Sequence, residues 1–190
     1  MQRHLDKSQK LPQRIASGEW VVDLSNRRQG VKARRCDGSF GELVPGETAE
    51  IPAGFQVARG PAATVEIGVE VKILAKAMIK QIDRVSGDLQ KQVKHFKQRG
   101  GEDCICVGII GINHAPYSIG YEADRSYKTD GKTHRHPIHE AEEAERRLRA
   151  EAQPVYDEFV VLRYSATNDE PYGFSWVNRD ETVRNYGASL

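Results

Sequence analysis

Val65-Glu66-Ile67-Gly68-Val69-Glu70-Val71-Lys72 decides the reading of this chain. Apolar residues at 65, 67, 69 and 71 alternate with Glu66, Gly68, Glu70 and Lys72. Period-2 alternation marks a β-strand whose successive side chains point to opposite faces. One face is therefore aliphatic, and the other carries two carboxylates and an amine. Removing such charges from water costs several kcal/mol each unless a partner compensates. A bound divalent cation is such a partner. Glu-x-Lys at the end of a strand suits metal-assisted cleavage of a phosphodiester: the carboxylate holds Mg²⁺, and the lysine two residues on orients or deprotonates the attacking water.

Outward from that strand, the chain reads as alternating elements. Phe55–Arg59 is expected to be a strand that turns back at Gly60-Pro61 into Thr64–Leu74. Ala75–Gly100 is the clearest helix, with Met78, Ile82, Val85, Leu89, Val93 and Phe96 at steps of three and four, closed by Gly100-Gly101. Cys104–Ile112 is a continuous apolar run, the mark of a strand buried on both faces. Pro137–Ala152 reads as a second helix, Phe159–Tyr164 as a buried strand and Tyr172–Val177 as an edge strand. Upstream, Glu19–Leu24 is a short strand or helix end, and Asn26–Gly38 is a basic loop. The order predicts an α/β domain around a central mixed sheet flanked by helices. At 190 residues, one domain spanning 1–190 is expected, with its core at about 41–165.

Composition narrows the classes. The longest apolar run is too short for a bilayer, and no secretory pattern opens the chain, so a cytoplasmic protein is expected. Three cysteines, Cys36, Cys104 and Cys106, argue against a disulfide framework. The net charge of +1 hides an uneven distribution. Arg27, Arg28, Lys32, Arg34 and Arg35 crowd one stretch and are candidates for neutralising nucleic-acid phosphates, against the plainer reading of a solvated loop. Phosphate-cradling glycine loops and a Gly-x-Ser-x-Gly elbow are absent. His134, His136 and His139 fit no zinc spacing and read as an exposed loop. Asn113 and His114, just past the buried strand, lie where α/β loops commonly reach a binding crevice.

With Gly68-Val69-Glu70-Val71-Lys72 preceded by a hairpin and followed by a basic amphipathic helix and a buried strand, the chain resembles the PD-(D/E)xK superfamily of restriction-endonuclease-like nucleases. The resemblance covers roughly residues 41–113. It implies a restriction-endonuclease-like core and a Mg²⁺-dependent DNA nuclease, with Mn²⁺ as a substitute, of the kind that serves in restriction or other defence. It also implies DNA as partner, and a homodimer or a subunit of a larger complex. By the resemblance, Glu70 and Lys72 would be the catalytic pair. Gln92, four residues before Phe96, matches the helix glutamine of exonuclease-type relatives, against the reading of an ordinary boundary residue.

The family pattern needs an acid before Glu-x-Lys, and here the sequence departs from it: no Pro-Asp and no Asp occurs between Gly38 and Leu74. Glu66 shares the face of Glu70, but four strand residues span about 13 Å, so a bend at Gly68 is required to serve one cation. If the chain turns at Gly60-Pro61, Glu50 pairs with Lys72 and lies about 5 Å across the hairpin. Glu42 and Glu47 are further options. The alternative function is a non-catalytic nucleic-acid-binding module that keeps the nuclease fold. A third reading is an unrelated α/β protein in which Glu70 and Lys72 simply pair on a solvated strand.

Overall fold

A computed structural model describes residues 10–23, 37–132 and 134–189. Helix α1 (Lys10–Ser17) leads into strand β1 (Trp20–Asp23), then β2 (Gly38–Glu42) and β3 (Ile67–Leu74). Helix α2 (Met78–Gly100) connects β3 to β4 (Ile105–Asn113). A separate hairpin of β5 (Ser118–Glu122) and β6 (Arg125–Thr129) follows. Helix α3 (Pro137–Glu151) and a 3-10 turn (Gln153–Val155) lead to β7 (Glu158–Ala166), β8 (Phe174–Trp176) and α4 (Arg179–Ser189).

The main sheet has the order β1-β2-β3-β4-β7-β8. Its centre, β3-β4-β7, is parallel, because each connection carries a helix; the flanking pairs are antiparallel. The expected α/β architecture, a mixed central sheet flanked by helices, is therefore present. Among the described residues, no helix is long and apolar enough to cross a membrane.

Helix α2 forms where its 3.6-residue stripe says it should. Met78, Ile82, Val85, Leu89, Val93 and Phe96 are buried. They join Ala141, Ala144 and Leu148 of α3, and Cys106, Ile110 and Ile112 of β4, in one core. Gly101 ends α2 at φ 81°, its N–H donating to the Lys97 carbonyl. At the other end, the Met78 N–H donates to Glu140 Oε2 at 2.9 Å, so a carboxylate of α3 caps α2.

The hairpin expected at Gly60-Pro61 is not what pairs with β3. Phe55–Arg59 forms no strand; Glu50 and Arg59 instead exchange backbone hydrogen bonds with each other at 2.9 and 2.7 Å. The antiparallel partner of β3 is β2, with Gly38 opposite Val69, Ser39 opposite Gly68 and Phe40 opposite Ile67. A long excursion, residues 43–66, separates them. Loop-closure entropy rises only logarithmically with length, so remote pairing costs little more than a tight hairpin.

The faces of β3 also differ from a simple alternation. Glu70 is 5% exposed and faces the helices, while Val71 and Ile73 on the aliphatic face are 37% and 68% exposed. Gly68 explains the choice. A Cβ there would lie 2.4 Å from the Phe96 ring, so the missing side chain is what lets α2 settle on the face that carries Glu70.

Asn113 ties the carboxyl ends of the three parallel strands together. Its Nδ2 donates to the carbonyls of Ala75 (3.0 Å) and Ala166 (2.8 Å), and its Oδ1 accepts from the N–H groups of Ala115 (3.0 Å) and Ala166 (2.9 Å). The side-chain amide is thus spent on backbone groups. Asn113→Ala strands those backbone groups and is expected to lower unfolding stability by about 2 kcal/mol in urea denaturation; a loss under about 0.5 kcal/mol would contradict this assignment.

Candidate functional site

Glu70 and Lys72 lie on one face of β3, two residues apart, and the Lys72 ammonium donates to Glu70 Oε1. Lys72 is half-buried and Glu70 fully so. The register partner of Glu70 on β4 is Gly108. A Cβ at Gly108 would lie 2.8 Å from the Phe159 ring and 3.2 Å from that of Tyr156, so two aromatic rings occupy the space beside the Glu70 backbone. Tyr156 donates its hydroxyl to the Leu89 carbonyl at 3.1 Å. Burial first, and then the negative charge of Glu70, push its phenol above its ordinary range. Glu70 thus projects from a strand into a largely apolar space between sheet and helices, with the Lys72 ammonium on its carboxylate.

A further acid, Asp37, lies next to this pair and is not among the expected acids. Extending the β2–β3 register by one step places Asp37 opposite Glu70. Directly opposed residues of an antiparallel pair hold their Cβ atoms about 5 Å apart. Asp37 is exposed, and its Oδ2 accepts the Val71 N–H at 2.7 Å, which anchors its carboxylate beside the Glu70-Val71-Lys72 segment. It lies one residue before the Gly38–Leu74 interval that lacks Asp, so an assumed local hairpin hid it. The signal in the sequence was Asp37-Gly38-Ser39-Phe40, an acid immediately before a short strand.

The other candidate acids have different roles. Glu66 precedes β3 and forms an ion pair with Arg14 of α1, whose guanidinium also lies 4.2 Å over the Trp20 ring. The four-residue separation from Glu70 is kept, and no bend at Gly68 brings the two together. Glu50 lies on the excursion, paired through its backbone with Arg59 and not with Lys72. Gln92 is 2% exposed on the inner face of α2. It precedes Phe96, which covers Gly68, by four helical residues, about 6 Å of helix axis. Glu70 follows Gly68 by two strand residues, about 6.6 Å. Because α2 runs back along β3, Gln92 comes level with Glu70. Arg27, Arg28, Lys32, Arg34 and Arg35 lie outside the described residues.

Among the described residues, no three or more His, Cys, Asp or Glu side chains gather as metal ligands. His136 is a helix cap: its Nδ1 accepts the Ile138 N–H at 3.1 Å. His114 sits beside Glu145, Arg149 and Arg163, and burial is the main cause of its lowered pKa. Glu145 is buried and would be pushed up by that burial, but hydrogen bonds from Arg163 and Arg149 outweigh it and hold the carboxylate low. Glu145, Arg149 and Arg163 form an ion network between α3 and β7, while the buried Nε2 of His114 beside it has no hydrogen-bond partner among the described residues.

Comparison of the chain with family models, with curated proteins and with solved structures returns no match.

Proposed function

We propose that this chain is a Mg²⁺-dependent DNA nuclease of the PD-(D/E)xK type, with Asp37, Glu70 and Lys72 as its working residues. The observation that carries the reading is the placement of Asp37 opposite Glu70, with Lys72 on the same face as Glu70. Asp37, immediately before β2, would supply the acid that the family pattern demands. The element order α1-β1-β2-β3-α2-β4, with β3 parallel to β4, agrees with the restriction-endonuclease-like core.

The donor set fits Mg²⁺. This ion binds through one or two protein carboxylates and leaves the remaining positions to water and substrate phosphate, so two acids suffice without a larger cluster. Asp37 and Glu70 would hold it. When bound, it offsets the charge that builds on the phosphate and on the leaving oxygen. Lys72, whose ammonium donates to Glu70 Oε1, orients the attacking water by hydrogen bonding and offsets the charge that develops on the phosphate. The Val71 N–H fixes the Asp37 carboxylate, so the acid does not swing away from Glu70. Gln92, buried on α2 at the level of Glu70, would help position the acid. Phe159 and Tyr156 exclude water from the inner side, which strengthens each charge interaction.

A second reading is a non-catalytic nucleic-acid-binding module. The ion pair between Glu70 and Lys72 favours it, since each charge already compensates the other without a cation.

The test is cleavage of supercoiled plasmid in Mg²⁺ or Mn²⁺ by wild type and by Lys72→Ala. We expect metal-dependent nicking or linearisation that falls about a hundredfold in the variant, as for loss of a positioned acid–base group. Plasmid left intact by the wild-type protein, with DNA binding retained, moves the assignment to the binding module.

A further inference from the structure

Beyond Lys72, β3 runs on toward a cleft at the carboxyl ends of β3 and β4, the end of an α/β sheet where ligands characteristically bind. One wall is the start of α2 with Lys76 and Lys80; the other is the β5–β6 hairpin with Tyr117 and Tyr127, and Arg135 closes the rim. Among the described residues the only acid in the lining is Glu140, and its carboxylate is committed to the Met78 N–H.

Both tyrosine rings are held in place. Gly120 lies opposite Tyr127 in the hairpin register, and a Cβ on it would fall 2.6 Å from the Tyr127 ring. The missing side chain lets the ring lie flat across the hairpin, and the His134 ring meets it at 5.4 Å. Tyr117 carries the Lys128 ammonium 4.0 Å from its ring centre. The hairpin itself is clamped to the β7–β8 connection by Asn168. That side chain accepts from the Ile119 N–H and donates to the Ile119 carbonyl, both at 2.7 Å. The result is a rigid aromatic wall facing a row of cations.

We propose that this cleft binds single-stranded DNA, its bases stacked on Tyr117 and Tyr127 and its phosphates against Lys76, Lys80 and Arg135. The inference rests on the nuclease reading, since it supplies the track that leads a strand to Asp37, Glu70 and Lys72. Cations alone would suit any polyanion. Fixed aromatic faces add a demand for unpaired bases, which a duplex keeps within its own stack. The distance from Glu70 to the end of β3, four residues or about 13 Å, keeps a strand in the cleft within reach of the acids.

Binding of fluorescein-labelled oligothymidylate, followed by anisotropy in EDTA, separates this proposal from cleavage. The full chain should bind the oligomer more tightly than a blunt duplex of equal length. Tyr127→Ala should weaken binding about tenfold, and Tyr127→Phe, which keeps the ring, should restore it. Lys80→Gln should lower the slope of log affinity against log salt by about 0.7. Lys72→Ala should bind as wild type while losing cleavage. Equal affinity of wild type, Tyr127→Ala and Tyr117→Ala would overturn the cleft, as would duplex bound as tightly as oligothymidylate, or an absence of oligomer binding. Plasmid cleavage is read separately in Mg²⁺. Tyr127-dependent binding without any cutting supports the cleft and removes the nuclease reading; cutting with Tyr127-independent binding does the reverse.

Discussion

Asp37→Asn is expected to lower Mg²⁺-dependent cleavage about 10³-fold, the equivalent of roughly 4 kcal/mol of transition-state stabilisation, with almost no change in folding stability. The asparagine retains a side-chain oxygen able to accept the Val71 N–H, so the contact that anchors residue 37 survives. What disappears is the negative charge opposite Glu70. Asp37→Ala removes both, and should add a destabilisation of about 1 kcal/mol for the lost hydrogen bond. Comparing the two variants therefore separates anchoring from metal binding. Thermal unfolding gives an independent readout: an ion that binds only the folded state raises the midpoint, by about 2.7 kcal/mol of stability at a hundred times its Kd. Wild type should show that rise in Mg²⁺, and Asp37→Asn should lose it. If Asp37→Asn cuts plasmid as fast as wild type, Asp37 is no ligand and the assignment of the second acid fails.

The structure also shows which parts of the chain announce themselves and which do not. Helix α2 was legible because its apolar stripe, its basic last turn and its glycine stop all agree, and burial followed the stripe from Met78 to Phe96. Strand β4 was legible because a parallel strand covered on both sides needs no alternation, and Cys106 to Ile112 are uniformly apolar or glycine. The partner of β3 was not legible. Local turn chemistry at Gly60-Pro61 suggests a hairpin, while the actual partner lies across the 43–66 excursion, and no local signal records such a pairing. The local-hairpin expectation places Glu50 beside Lys72, whereas the observed register puts Asp37 next to β3. Glu66 was misread for a related reason. Its compensating charge, Arg14, is 52 residues away, so its alignment with Glu70 on the strand looked like a shared ligand role. The shared face of Glu70 and Lys72 is legible because the two-residue period sets it whatever the strand pairs with.

Gly68→Ala carries the largest expected effect on stability, about 3 kcal/mol. The new methyl group would meet Cγ, Cδ1 and Cδ2 of Phe96 at 2.4 to 2.6 Å, well inside van der Waals contact, and Phe96 is only 2% exposed and cannot swing into solvent. Relief requires either an off-rotamer ring or a shift of α2 away from β3. Close packing spreads such a shift along the helix rather than confining it to one turn. Gln92, one turn before Phe96, then moves relative to Glu70, so cleavage should fall together with the urea midpoint. Phe96→Leu tests the cause. Alone it removes buried aromatic surface and should cost about 1 kcal/mol or more. Combined with Gly68→Ala it frees room for the methyl, so the double variant should be more stable than the two single losses predict, by about 1 kcal/mol or more of coupling. Additive losses would mean that Gly68 is required for its own backbone freedom and not for the seat it gives Phe96. The same double variant should regain part of the lost cleavage. The glycine beneath the helix and the acid beside the lysine would then answer to one constraint, the separation of α2 from β3.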